Sequence, residues 1–276
     1  MKKVLVTGAQ GFIGKNLISY LVEHEVCGLD SEYLSFSDWK ARLHSKLEEF
    51  HPDVVFHVGA CAGTLEKRVN YMMIRNYEST KELVNWCKVY DVPFIYSSSA
   101  AAYGITKEHP SNLYGWSKYM AEDYVLLNNG VALRYFNVYG PGESHKGKMA
   151  SVVYQAFLNH RTNGEAMGLF PKTPRRDFVY VEDVVSANLH AWENYRQLSG
   201  RYFEVGSGDA RTFEEMMDIL GISYFYRDIA DIPEGYQFFT QSNKNKWMSG
   251  WEPCYDLKKG LSRYLEVLNE EFRETM

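Results

Sequence analysis

Tyr114 and Lys118 stand four residues apart in Tyr114-Gly115-Trp116-Ser117-Lys118, a spacing that puts both on one face of a helix. An ammonium beside a phenol favours the phenolate, which turns a group with a reference pKa of about 10 into a usable base. Upstream lies Ser97-Ser98-Ser99-Ala100-Ala101-Ala102-Tyr103-Gly104, where a serine hydroxyl can hold a substrate alcohol in line with that base. Alone, Tyr-x-x-x-Lys is weak, because such pairs commonly pack or face solvent. Near the start, Thr7-Gly8-Ala9-Gln10-Gly11-Phe12-Ile13-Gly14 follows a β-branched run and opens a helix. A glycine turn there lets backbone approach a pyrophosphate, and the helix N-terminus adds N–H groups and the positive end of its dipole. Asp30 ends the second apolar run, sixteen residues past Gly14. A carboxylate there can accept hydrogen bonds from both hydroxyls of an adenosine ribose and repel a 2′-phosphate. The plainer reading of Asp30 is a turn residue.

The elements that must position these groups alternate. Short continuous apolar runs at Val4 to Val6, Glu25 to Leu29, Val54 to Val58, Phe94 to Tyr96 and Val131 to Leu133 suit strands buried on both faces. Helical patterns separate them. Trp39, Leu43, Leu47 and Phe50 mark one helix, with Ser37 or Asp38 placed to cap it, and others run from about Asn76 to Tyr90 and from about Tyr114 to Asn128. This rhythm predicts an α/β fold, a doubly wound parallel sheet. After about residue 136 the pattern loosens, with helices near Ser151 to His160 and Asp183 to Trp192 and strands at Phe178 to Val181 and Tyr202 to Val205. Leu257, Leu261, Leu265 and Leu268 form a terminal amphipathic helix.

Composition excludes several classes. The 276 residues carry 30 basic and 35 acidic side chains, so the net field, formally −5, repels nucleic acid and anionic membrane. No apolar stretch approaches the roughly 18 residues of a spanning helix, and the run after Met1-Lys2-Lys3 is too short for export. Cys27, Cys61, Cys87 and Cys254 lie far apart with no metal-ligand spacing, which predicts reduced, mostly buried thiols, no metal site and a cytoplasmic, soluble protein.

With these residues assembled, the chain resembles the extended short-chain dehydrogenase/reductase family along essentially its whole length. Arg134-Tyr135-Phe136-Asn137-Val138-Tyr139-Gly140-Pro141 and Arg176-Asp177-Phe178-Val179-Tyr180-Val181-Glu182-Asp183-Val184 look like that family's later signatures. The resemblance implies a Rossmann lobe, residues 1–136 and about 177–205, interleaved with a smaller α/β nucleotide-sugar lobe, about 137–176 and 206–276. It implies catalysis by Ser99, Tyr114 and Lys118, and a tightly held nicotinamide cofactor. For that cofactor the matching positions are Gly8, Gly11, Phe12, Ile13, Gly14, Asp30, Ser31, Gly59, Ala60, Asn76, Tyr114, Lys118 and Val138. Asp30 is followed by Ser31 and Glu32, with no basic residue until Lys40, so NAD is expected, NADP remaining possible.

A narrower resemblance, to the ADP-L-glycero-D-manno-heptose 6-epimerases, rests on Phe56-His57-Val58-Gly59-Ala60-Cys61, Tyr71-Met72-Met73, His145-Lys146-Gly147-Lys148-Met149-Ala150-Ser151 and Tyr236-Gln237. It implies a second catalytic base at Lys146, whose alternative is a loop lysine binding the sugar diphosphate. It also implies substrate contacts from Ser99, Asn137, Lys146, Lys148, Gln155, Phe170, Arg176 and Tyr236, a nucleotide-diphosphate sugar as substrate, and a homo-oligomer. The chain departs from that pattern at Lys148 and Gln155, in a shorter 170–176 loop, and in a shorter stretch between the second and third strands. Ala100-Ala101-Ala102 lacks the acid pair of a 4,6-dehydratase and the cysteine of a fucose synthase. A hexose 4-epimerase, and a non-catalytic nicotinamide-binding scaffold, are the alternatives.

Overall fold

The computed structural model describes residues 1–106, 108–233 and 236–274. Its strands are β1 (Lys3–Thr7), β2 (Glu25–Leu29), β3 (Val54–His57), β4 (Phe94–Ser99), β5 (Val131–Tyr135), β6 (Asn137–Tyr139), β7 (Met167–Leu169), β8 (Arg175–Tyr180), β9 (Arg201–Val205), β10 (Ala210–Thr212) and β11 (Tyr224–Tyr226). Two compact units result: residues 1–135, 185–204 and 248–251 in the first, and 136–184, 205–247 and 252–276 in the second.

In the first unit the strands run in the order β2-β1-β3-β4-β5-β9, with β1 parallel to both β2 and β3, and β4 parallel to β3 and β5. Residues Val54–His57 and Val131–Tyr135 are buried throughout, as strands covered on both faces must be. One covering layer comes from Leu43 and Leu47 of the Trp39–Phe50 helix, Leu83, Trp86 and Cys87 of the Ser79–Tyr90 helix, and Ala121 and Val125 of the Leu113–Leu127 helix. Asp38 occupies the N-cap of the first of these helices, but its side chain makes no capping bond. Its carboxylate accepts from Arg42 Nε at 2.8 Å instead, since the charged donor one turn on outcompetes a backbone amide. The helix expected from Asn76 begins at Val69 and passes through a π-helical turn, Ile74–Glu78, before the regular Ser79–Tyr90 segment. Such turns recur at functional positions.

The second unit holds β8 between β10, antiparallel to it, and β6, parallel to it, together with a parallel β7–β11 pair. Its core gathers Tyr139, Phe157, Phe178, Tyr180 and Met217 around Leu257, Leu261, Tyr264 and Leu268 of the Leu257–Glu274 helix. Residues 177–184, expected with the Rossmann lobe, belong here because β8 is bonded to β6 and β10. Residues 248–251 join the first unit, where Trp251 Nε1 donates to Ser186 Oγ at 3.0 Å. The cysteines are all free thiols, but only Cys87 is buried: Cys27 and Cys61 are half-buried and Cys254 is exposed. No helix among the described residues is long and apolar enough to cross a membrane.

Asp177, fully buried on β8, holds the second unit's loops together. Its carboxylate accepts from Ser207 N at 2.6 Å, Ser207 Oγ at 2.7 Å, Gly208 N at 3.0 Å and Ser242 N at 2.8 Å. Asp177→Ala strands these donors and should lower the unfolding free energy by about 3 kcal/mol. Urea denaturation checks this; a loss below about 1 kcal/mol would mean that water replaces the carboxylate at little cost.

Candidate active site

The glycine turn leaves β1 at a point where backbones touch. Gly8 has φ +65°, and a Cβ there would lie 2.6 Å from the Cα of Gly59, which follows β3. Gly11 forms the N-cap of the Phe12–Ser19 helix and brings no side chain over its first turn. Phe12 and Gly14 are buried beneath the turn, so they serve it by packing. The result is a cleft of about 250 Å³ whose lining includes Gly8, Gly11, Asp30, Ser31, Gly59 and Ala60. Asp30 accepts from the Gln10 amide at 3.0 Å, which pins it to the turn and leaves carboxylate lone pairs for a ligand. Glycine backbone, a helix N-terminus and a pinned carboxylate fit a dinucleotide.

Beside this cleft, the Leu113–Leu127 helix is capped by Asn112, whose Oδ1 accepts from Gly115 N at 2.8 Å. Gly115 is required by close approach, since a Cβ there would lie 2.6 Å from the Ala101 carbonyl oxygen. This contact brings the Tyr114 phenol into hydrogen-bond reach of Ser99. Ser99 is further fixed by the Ala101 amide, which donates to its Oγ at 3.1 Å. Burial pushes the Tyr114 phenol above its ordinary pKa, and the Ser99 hydrogen bond opposes that rise. Lys118 is buried, donates to the Ser97 carbonyl at 2.6 Å and lies 4.7 Å from the Tyr96 ring centroid. Desolvation drops its pKa to about 7, with Glu122 acting against the fall.

A continuous hydrogen-bond chain links the glycine turn to the Tyr114 helix. Thr7 Oγ1 lies 2.6 Å from His57 Nδ1, and His57 Nε2 lies 2.8 Å from Thr80 Oγ1. The Thr80 hydroxyl donates to the Asn76 carbonyl at 2.8 Å, Asn76 Nδ2 donates to Ser117 Oγ at 2.9 Å, and Ser117 donates to the Tyr114 carbonyl at 2.7 Å. Thr7 Oγ1 also accepts from Gly59 N at 2.9 Å. Thr80 spends its proton on Asn76, so His57 must donate from Nε2 and accept at Nδ1; the network thus assigns a neutral tautomer. Asn76, at the π-helical turn, also bonds both backbone groups of Cys61, at 2.7 and 3.0 Å.

In the second unit, Lys146 sits on the Ser144–Met149 turn, its Nζ 3.5 Å from Glu143. Glu143 is buried, and sequence reasoning missed it. Its carboxylate accepts from Gly140 N at 3.2 Å, Ser151 N at 2.6 Å and Ser151 Oγ at 2.7 Å, so it clamps both ends of the turn that carries Lys146. Gln155 turns inward, donating to the Ala150 carbonyl at 2.7 Å, while Lys148 is exposed. The Arg176 guanidinium lies 5.0 Å from the Tyr236 ring, and Tyr236 meets Phe170 edge to face at 5.1 Å. Burial lowers the Arg176 pKa, opposed by Tyr236. Asn137 is exposed on β6, accepting from Thr240 Oγ1 at 3.4 Å, with the half-buried Val138 beside it. Among the described residues no cluster of His, Cys, Asp and Glu could hold a metal.

A doubly wound sheet with a glycine-turn cleft, and a Ser-Tyr pair and buried lysine at its edge, defines a dinucleotide-binding α/β protein. Residues 4–206 match the NAD dependent epimerase/dehydratase family, and the chain belongs to that family. Among solved structures it is similar to the ADP-L-glycero-D-manno-heptose-6-epimerase of Helicobacter pylori, at 29% identity over 97% of this chain and 96% of that one, with TM-score 0.85. It is also similar to a UDP-glucose 4-epimerase of Thermotoga maritima solved with UDP-glucose, at 26% identity over 98% and 99%, with TM-score 0.84. The UDP-glucuronic acid 4-epimerase of Bacillus cereus shares the fold at 22% identity over 97% and 99%, with TM-score 0.78.

Burial lowers the His57 pKa from 6.5 to about 3. The unfolded chain therefore takes up a proton near pH 6.5 that the folded chain refuses until about pH 3. This contribution to stability is complete above pH 6.5 and is lost as pH falls toward 3. His57→Gln should flatten the dependence of unfolding free energy on pH between those limits by up to about 1.4 kcal/mol per pH unit. An unchanged slope in urea titrations across that range would show that His57 is protonated in the fold.

Proposed function

We propose that the protein is a nucleotide-diphosphate-sugar epimerase that inverts a glycero-manno-heptose at C6. The observation that carries this reading is the Tyr114–Ser99 hydrogen bond beside the glycine-turn cleft, supported by a lysine turn clamped by Glu143. A bound nicotinamide supplies reversible hydride acceptance and, when oxidised, a positive charge. Tyr114 removes the proton from the substrate hydroxyl, and Ser99 aligns that hydroxyl. Lys118 positions the cofactor and stabilises the phenolate as it forms. Lys146 serves proton transfer for the opposite configuration. An aldehyde outside the ring presents both faces by rotating about one bond, whereas a ring ketone requires the whole sugar to turn over. Arg176, Tyr236 and Phe170 bind the nucleotide diphosphate, with a guanidinium suited to phosphate and rings suited to a base. NAD is the preferred cofactor, because the Asp30 carboxylate at the ribose position repels a 2′-phosphate.

Tyr114→Phe should abolish turnover, by about 10³-fold or more, while leaving the fold and bound cofactor intact, because only the ionisable oxygen is lost. Steady-state rates with ADP-, GDP- and UDP-linked heptoses beside UDP-galactose, with epimer ratios followed by NMR, test the substrate. Turnover of UDP-galactose with no heptose converted replaces this reading with a hexose 4-epimerase. In heavy water the inverted carbon should gain no deuterium, since its hydrogen travels as hydride.

A further inference from the structure

Arg75 lines the glycine-turn cleft, although it lies far along the chain from Asp30. Asp30 and Arg75 are the two charged side chains in that lining. The Arg75 guanidinium is stacked 3.7 Å from the centre of the Tyr71 ring, which lines the same cleft. Arg68 stacks on that ring as well, at 4.2 Å, but it is neutralised by Glu66, with contacts of 2.9 and 2.7 Å. Arg75 differs. Among the described residues no carboxylate pairs with it, and beyond the helix's own backbone bonds only its carbonyl is engaged, accepting from Ser79 Oγ at 2.7 Å. The cleft therefore contains a permanently charged fork of N–H donors, held by stacking and paired with no anion among the described residues.

Its place along the cleft narrows the ligand group. One residue on, Asn76 is bonded to the Cys61 backbone, and one helical turn on, Ser79 bonds the Tyr33 hydroxyl. Cys61, Tyr33 and Ser79 all line the cleft together with Gly8 and Gly11, so Arg75 shares it with the glycine turn. In a dinucleotide the group between the two ribosyl halves is the diphosphate. Asp30, near Ser31, Tyr33 and Leu34 in the lining, marks the adenosine end, where a carboxylate excludes a further phosphate.

We propose that Arg75 is a phosphate-binding residue of this cleft, pairing its guanidinium with the diphosphate of the bound dinucleotide. The proposal rests on the cofactor reading and is independent of the sugar substrate. The glycine turn offers neutral N–H groups and a helix dipole; Arg75 adds the full positive charge that the turn lacks, matched to two phosphate oxygens at once. Tyr71 reduces the cost of binding by holding the planar group in place beforehand.

The experiment uses the full chain freed of cofactor and titrated calorimetrically with NAD, ADP, adenosine and NADP. Arg75→Gln should weaken NAD and ADP by about ten- to a hundredfold, the scale of a charged hydrogen-bonded pair, and leave adenosine within about twofold. Arg75→Lys should recover part of the loss, and added salt should weaken ADP more in the native protein than in Arg75→Gln. Equal losses for adenosine and ADP would overturn the proposal in favour of a packing role. An unchanged ADP affinity would also overturn it, as would a loss confined to NADP, which would move the contact to a 2′-phosphate. If the native protein binds neither NAD nor ADP, the cofactor reading itself fails, a result distinct from any of these.

Discussion

The cleft depends on a line of neutral, buried hydrogen bonds in which no member can change charge without breaking the direction of the others. From Thr7 to Ser117 each hydroxyl or ring nitrogen has its donor role fixed by its neighbour, and the His57 ring, stacked 5.7 Å from Tyr96, has no solvent through which to relax. Water-excluded networks of this kind are costly when half-satisfied and rigid when complete. The line begins at the glycine turn and ends on the backbone of Tyr114, so it holds that turn and the phenol in one register. A displacement of either end must be shared with the π-helical turn at Asn76.

Electrostatics around Tyr114 and Lys118 follow from the same dryness. Each group is penalised in its charged form: burial raises the phenol's pKa and lowers that of the ammonium. Lys118 donates to the Ser97 carbonyl at 2.6 Å. Deeper still, Arg134 Nε donates to Glu122 at 2.8 Å, and Ser98 donates to the same carboxylate at 2.6 Å. That buried pair fixes β4 and β5 to the Tyr114 helix, and its negative partner is the one charge working to keep Lys118 protonated. The Tyr114 phenol is thus fixed in position but held in its neutral form by the same burial.

The strand rhythm, the long helices, the glycine turn and the Tyr114–Lys118 pair are legible in the chain because each rests on a local signal, an apolar run or a helical spacing, whereas Ser99 is singled out within its serine run only by the family resemblance. What escaped notice is non-local. Short strands such as β6, β7, β10 and β11 carry three residues each, too few for a period to register. Glu143 and Asp177 look like ordinary acidic residues until the backbone donors around them are seen. Arg75 illustrates the same limit. Counting basic residues after Asp30 finds none before Lys40, yet a guanidinium from a separate helix enters the cleft. Asp177 does have one local trace, since it abuts the apolar run Phe178 to Val181, where a buried carboxylate must be bonded to persist.

Among the described residues, the stretch between β2 and β3 holds no strand of its own. In the common dinucleotide-binding order a further strand flanks β2. Here β2 is the sheet edge, and its residues are mostly half-exposed. An open edge invites pairing with another chain unless it is short or blocked, and this one has five residues, with a charged residue at Glu25. The chain then passes directly from Asp30 into the single turn Ser31–Ser35, and on to the Trp39–Phe50 helix that roofs the core. Tyr33 and Leu34 of that turn line the cleft. With no strand between them, Asp30 and the cleft-lining Tyr33 and Leu34 lie within five residues of one another along the chain. The next basic residue along the chain, Lys40, falls beyond this turn, so the segment that lines this end of the cleft carries no cation of its own.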